Sequence, residues 1–203
     1  MENYADLMFH EAVADLQKTD GSYDKFQVGY KHRTQDSLSA DDIAFIQSRE
    51  SAYIATTTPD GWPYVQHRGG ARGFFKVVNA NQLVCGDYRG NRQFISMGNL
   101  ETNTRISMFF MDYMNKARLK IQGHATLQSA ADASPEILAL VQDEGPAAER
   151  VLTVDVVAMD WNCPKYIPDF YPADMVRHVV AREMDKLRQE NAALREALQN
   201  QTK

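Results

Sequence analysis

Apolar and polar residues alternate along 116–127, with Leu119, Ile121, Gly123, Ala125 and Leu127 on one side and Arg118, Lys120, Gln122, His124 and Thr126 on the other. A period of two belongs to a strand with one face buried. The same reading predicts strands at 51–57, 63–69, 73–79, 82–86, 104–111 and 151–160. Turns are expected at Thr58-Pro59-Asp60-Gly61, Asn79-Ala80-Asn81 and Asp112-Tyr113-Met114-Asn115, where Pro presets φ and Gly or Asn accepts a tight reversal. A short helix opens the region: Ser39 with Asp42 resembles an N-cap, and Ile43, Phe45 and Ile46 supply an apolar face as far as Arg49. Two more helices interrupt the strands, one after Asn91 and one from Ser134-Pro135-Glu136 to a stop at Gly145-Pro146. Short strands joined by hairpin turns imply a mainly β, α+β domain: a closed or partly closed antiparallel barrel rather than a parallel sheet.

The pattern changes at both ends. Residues 1–37 are polar, with Phe9, Val13 and Leu16 at helical spacing, and read as an arm packed on a body at 38–171. Residues 172–203 are dense in helix formers and, from Ala173 on, free of Gly and Pro. A heptad frame places Val180, Leu187 and Leu194 at d and Met184, Asn191 and Leu198 at a. Glu183 and Glu190 then fall at g, and Arg188 and Arg195 at e, so Glu183–Arg188′ and Glu190–Arg195′ pairs form only between two parallel chains in register. A homodimeric coiled coil is the expectation; the alternative is a single amphipathic helix packed on its own domain.

With 203 residues, 44% of them hydrophobic, the chain can bury one sizeable core. A net charge of −5 and an isoelectric point near 5.5 argue against a general nucleic-acid surface. Cys85 and Cys163 provide no disulfide framework and no metal-ligand spacing, which suits a reducing cytoplasm. The N-terminal stretch lacks a basic segment followed by an apolar one, and no apolar window reaches membrane-spanning length, so a soluble protein is expected.

Two polar clusters interrupt this strand pattern. Gln66, His67 and Arg68 crowd into the strand at 63–69, and Gly69-Gly70 then removes side chains where a ligand could approach the backbone. Gly86-Asp87-Tyr88-Arg89-Gly90-Asn91-Arg92-Gln93 follows the strand at 82–86 and precedes a helix. Unpaired N–H groups at a helix start, joined by Asn91, Arg92 and Arg68, would hold a phosphate. The plainer alternative is a loop whose charges only meet solvent.

The run PDGWPYVQHRGG…DYRGNRQFISMGNLETNTRISMFFMDY…RLKIQGHATL, with MDWNCPKYI near the end, resembles the flavin-mononucleotide-binding split-barrel proteins related to pyridoxamine 5′-phosphate oxidase, over roughly residues 40 to 167. The resemblance implies an antiparallel split β-barrel with a few flanking helices, FMN as cofactor, and a homodimer with the flavin at the subunit interface. It implies that Gln66, His67, Arg68 and Gly69 run along the flavin, that Asn91 and Arg92 hold its phosphate, and that Cys85 and Gly86 end the strand between them. Arg118 and Lys120 match flavin contacts from the second subunit, Trp161 matches a ring-contacting position, and Lys165 is a further candidate. Relatives often carry Gln-His where this chain has Lys165-Tyr166. The Arg-x-His pattern of true pyridoxamine phosphate oxidases is replaced by Asn-Cys-Pro-Lys-Tyr-Ile, so that activity is not expected. No motif for hydrolytic or metal chemistry occurs. The expected activity is FMN-dependent electron transfer with a small donor or acceptor such as NAD(P)H; the rivals are a deazaflavin or haem in the same barrel, and a non-catalytic flavin-binding or assembly protein.

Overall fold

A computed structural model of the chain describes residues 3–31, 36–142 and 147–201. Among these residues seven strands form one antiparallel sheet: β1 (Ser51–Thr57), β2 (Pro63–Gly69), β3 (Lys76–Asn79), β4 (Gln82–Asp87), β5 (Arg105–Asp112), β6 (Ala117–Ser129) and β7 (Arg150–Trp161). Their order is β2-β1-β5-β6-β7-β4-β3, so β2 lies at one edge, with no backbone pairing to β4. The alternation read from 116–127 holds, with Leu119, Ile121 and Ala125 fully buried against Met108, Phe110, Leu83 and Val154. Phe110 meets Phe75 edge-on at 5.5 Å in this core. Gly123 sits where the β6–β7 register shifts, and a Cβ there would lie 2.5 Å from the Asp155 carbonyl oxygen. Only glycine lets the two strands approach so closely.

Strand β3 begins at Lys76, later than expected. Gly73 has φ 76° and the Phe74 N–H closes a turn on the Ala71 carbonyl, which drops Phe74 and Phe75 into the core before pairing starts. Helix α4 (Ala40–Gln47) has the expected cap: Ser39 Oγ accepts from the Asp42 N–H, and Asp42 accepts from the Ser39 N–H. Helix α5 (Ile95–Thr102) follows β4, and α6 (Pro135–Val141) covers Val84 and Val151 on the other face of the sheet. The expected stop of α6 at Gly145-Pro146 lies outside the described residues.

Among the described residues the arm holds three helices, α1 (Tyr4–Met8), α2 (Glu11–Asp20) and α3 (Tyr23–Tyr30). Leu16 is 70% exposed, so its apolar spacing with Phe9 and Val13 does not mark a face turned to the core. Instead Asp36 anchors the arm: one carboxylate oxygen accepts from the backbone N–H of Tyr4 at 2.9 Å and of Met159 at 3.0 Å.

The arm and sheet belong to one compact unit, residues 1–112 with 117–164; residues 113–116 with 165–203 form another. In the second, Lys116 pairs with Asp169 at 2.8 Å, Tyr113 packs on Phe170, and α7 (Ala173–Gln201) runs for 29 residues. Its expected seam is exposed, with Val180, Met184, Leu187, Leu194 and Leu198 all between 46% and 64%. Among the described residues, no helix is long and apolar enough to cross a membrane.

Candidate functional site

Register places Tyr64, Gln66 and Arg68 of β2 opposite Thr56, Ile54 and Ala52 of β1, on the face that elsewhere forms the core. Those inward positions turn polar because β2 has no second strand beside it. The result is an open cleft between β2, the end of β4, residues 88–97, Leu127 and the start of β7. Four expected site residues line it: Gln66, Arg68, Asn91 and Arg92.

The cleft is fixed from several sides. Ser96 Oγ donates to Gln66 Oε1 at 2.9 Å, which leaves the amide nitrogen as the donor end. Asn91 Oδ1 accepts from the Gln93 N–H at 3.1 Å and turns the chain into α5. Arg92 (φ 63°) and Phe94 (φ 57°) both take left-handed backbone, which costs about 1 kcal/mol or more each. Phe94 is the N-cap of α5 and supplies no side-chain acceptor, so the helix start faces the cleft uncapped. At the floor, Asp87 accepts from Arg68 at 2.6 Å and from Arg150 at 2.7 Å. Arg68 Nε is buried with no hydrogen-bond partner. Three arginines stand against two carboxylates, Asp87 and Glu149, so the lining is net positive. This arrangement is built to receive an anion.

The remaining expected residues lie elsewhere. His67 and Gly69, one pleat out of phase with Gln66 and Arg68, project from the opposite face, where His67 meets Tyr53 edge-on at 5.5 Å. Cys85 points into the core two residues behind Asp87; burial pushes its thiol up to about 12, although Arg68 draws it down, so it is chemically inert. Gly86 is buried under the Tyr88 ring. Arg118, Lys120 and Trp161 form a second polar group on β6 and β7, outside the cleft lining. There Lys120 pairs with Asp160 at 3.1 Å and lies over the Tyr4 ring, Asp160 accepts from Tyr30 Oη, and Trp161 Nε1 donates to Asp42 at 2.8 Å. Arg118 donates to the Cys163 carbonyl. Lys165 is exposed in the second unit. Arg150 and Ser96 were missed; Arg150 stands one residue before the expected start of its strand, directly across from Asp87 in the β4–β7 register.

The family model for pyridoxamine 5′-phosphate oxidase matches residues 43–161, more than half of the chain. Among solved structures, HupZ of Group A Streptococcus is similar at 15% identity, covering 62% of this chain and 99% of that one with a TM-score of 0.51. A putative pyridoxamine 5′-phosphate oxidase from Lactobacillus delbrueckii is similar at 16% identity over 63% and 97%, TM-score 0.49. An F420 reductase is similar at 17% identity over 58% and 94%, TM-score 0.42. No curated protein sequence matches the chain.

Proposed function

The chain belongs to the pyridoxamine 5′-phosphate oxidase-like split-barrel family, and from that premise we propose that it is a homodimeric FMN-dependent oxidoreductase of the cytoplasm. The observation that carries the reading is Arg68: its Nε is buried without a partner, in a cleft that also holds Gln66, Asn91, Arg92 and the uncapped start of α5. These donors fit a flavin phosphate and one edge of its ring system. Arg68 and Arg92 would hold the phosphate, with Asn91 shaping the loop around it, and Gln66 would donate its amide to the ring. When bound, FMN supplies the electron-transfer chemistry. The chain's own residues bind and orient it, and no side chain in the cleft is required as a base.

The second polar group supports an assembly of two copies. Lys120 shares a lateral row with His67, Tyr53 and Phe109 on the face turned away from the core, and Tyr53 there is 37% exposed. In the proposed dimer Arg118, Lys120 and Trp161 of one copy reach the cleft of the other, and a parallel α7 pair holds the copies together. A cation beside the ring would favour the reduced, anionic flavin.

Absorbance of the purified protein tests the reading. A yellow protein, or one that takes up FMN at micromolar concentration with flavin bands in the blue, supports it. A colourless protein that ignores FMN overturns it, and deazaflavin or haem bands would name the ligand instead. Bleaching by NADH or NADPH under anaerobic conditions supports catalysis; bound flavin that neither bleaches nor turns over supports a binding or assembly role.

A further inference from the structure

Three elements converge on a single carboxylate at the cleft floor. Asp87 and Arg150 are cross-strand partners on β4 and β7, while Arg68 arrives from β2, which pairs with neither. Both Asp87 oxygens are engaged, Oδ1 by Arg68 and Oδ2 by Arg150. The three side chains are only 13%, 14% and 18% exposed for Arg68, Asp87 and Arg150. Two guanidinium groups sharing one carboxylate leave an uncompensated positive charge in a poorly solvated place, and such a charge is costly unless an anion completes it. Arg150 also pairs with Glu149 at 3.2 Å, but Glu149 is 43% exposed and its charge is largely screened. The Arg150 guanidinium lies 5.7 Å over the ring of Phe94, the strained residue that starts α5. Arg150 therefore links the charged floor to the uncapped helix start.

We infer that Arg150 is a third holder of the ligand's phosphate, with Asp87 keeping it beside Arg68, so that the cleft discriminates FMN from the same ring system without a phosphate. The inference rests on the flavin reading, and inorganic phosphate supplies a probe independent of it. A purely structural triad, stapling β2 to the β4–β7 pair, would give a different pattern.

The experiment titrates wild type, Arg150→Gln and Arg150→Lys with FMN and with riboflavin, and follows the thermal midpoint of each protein with and without inorganic phosphate. Loss of one charge-assisted bidentate contact should weaken FMN about tenfold or more in Arg150→Gln, while riboflavin moves less than about twofold. Phosphate should raise the wild-type midpoint and leave that of Arg150→Gln nearly unmoved. Equal FMN affinity in wild type and Arg150→Gln overturns the inference and leaves the flavin reading intact, as does an equal loss for FMN and riboflavin. Phosphate stabilising wild type alone, with FMN binding neither protein, upholds Arg150 and overturns the flavin reading. Stabilisation of neither protein by FMN or phosphate overturns both. Should Arg150→Gln fail to fold, Arg150→Lys decides: it keeps the charge and loses the planar fork, so FMN should weaken severalfold with riboflavin unmoved, and unchanged FMN affinity overturns the inference.

Discussion

The cleft beside β2 and the polar group on β6 and β7 both set a basic side chain against an aspartate at strand positions, yet Arg68 and Lys120 are satisfied differently. In the cleft, Arg68 is held by Asp87 and still has a buried Nε without a partner. On β6 and β7, Lys120 has Asp160 and the Tyr4 ring, Asp160 has the Tyr30 hydroxyl, and Trp161 has Asp42. Lys120, Asp160 and Trp161 thus find partners within one chain, whereas the Arg68 donor left over in the cleft is a cost that a bound anion would offset. In the proposed reading the cleft is the binding site of a single copy, and the β6–β7 group would join a site when a second copy is added.

The comparison can be broken most directly at Arg68. Arg68→Gln should weaken FMN about a hundredfold, because it removes charge-assisted hydrogen bonds worth roughly 1.5–3 kcal/mol each. Fluorescence quenching of free flavin measures it, and a loss below about threefold would remove Arg68 from the site. Truncation after Tyr171 comes next. It spares every cleft residue but deletes the exposed α7 seam, so sedimentation should show weaker dimers at low concentration, with a lower thermal midpoint. Unchanged sedimentation and melting would count against the α7 pair. Lys120→Met should cost FMN about tenfold in the dimer and nothing in dissociated subunits. An effect that persists on dissociation would place Lys120 and the cleft in one chain's site and erase the distinction between the two regions.

Legibility in the sequence followed the reach of the signal. Periodicity is local, and Leu119 and Ile121 were legible as core because alternate strand positions share a face wherever the strand goes. The same rule, applied to β2, separates Gln66 and Arg68 from His67 and Gly69; treating the four as one cluster overlooked it. Arg150 could not be found this way, since its meaning depends on Asp87, 63 positions earlier in the chain, being its cross-strand partner. The arm was illegible for a related reason. Its anchors are polar, Asp36 bound to the Tyr4 and Met159 N–H groups and Asp160 accepting from Tyr30, rather than an apolar stripe. The helix α7 was legible because helix formers and heptads are a local pattern, whereas the pairing of two such seams belongs to the proposed dimer.

The smallest effects, and the sharpest comparison, come from the two cysteines, because each reports on one region. Cys85 lies behind the cleft floor, and the Cys163 carbonyl accepts from Arg118 beside the β6–β7 group. Cys163 is exposed, so near pH 8 one thiol per chain should react with a disulfide reagent and the second only on unfolding. Burial raises Cys85 from 9.0 to about 12, so the unfolded chain releases this proton well before the folded one does. Stability is therefore unaffected by Cys85 below pH 9 and falls as pH rises from there toward 12, by at most about 1.4 kcal/mol per pH unit. Cys85→Ala should flatten that alkaline slope relative to wild type. Arg68 is the group that draws the Cys85 thiol down, and a bound phosphate would neutralise part of its charge. FMN should accordingly slow the reaction of Cys85 during partial unfolding, and should slow that of Cys163 only where a second copy is present. Protection of Cys163 by FMN in dissociated subunits would mean that one chain closes both regions around the same ligand.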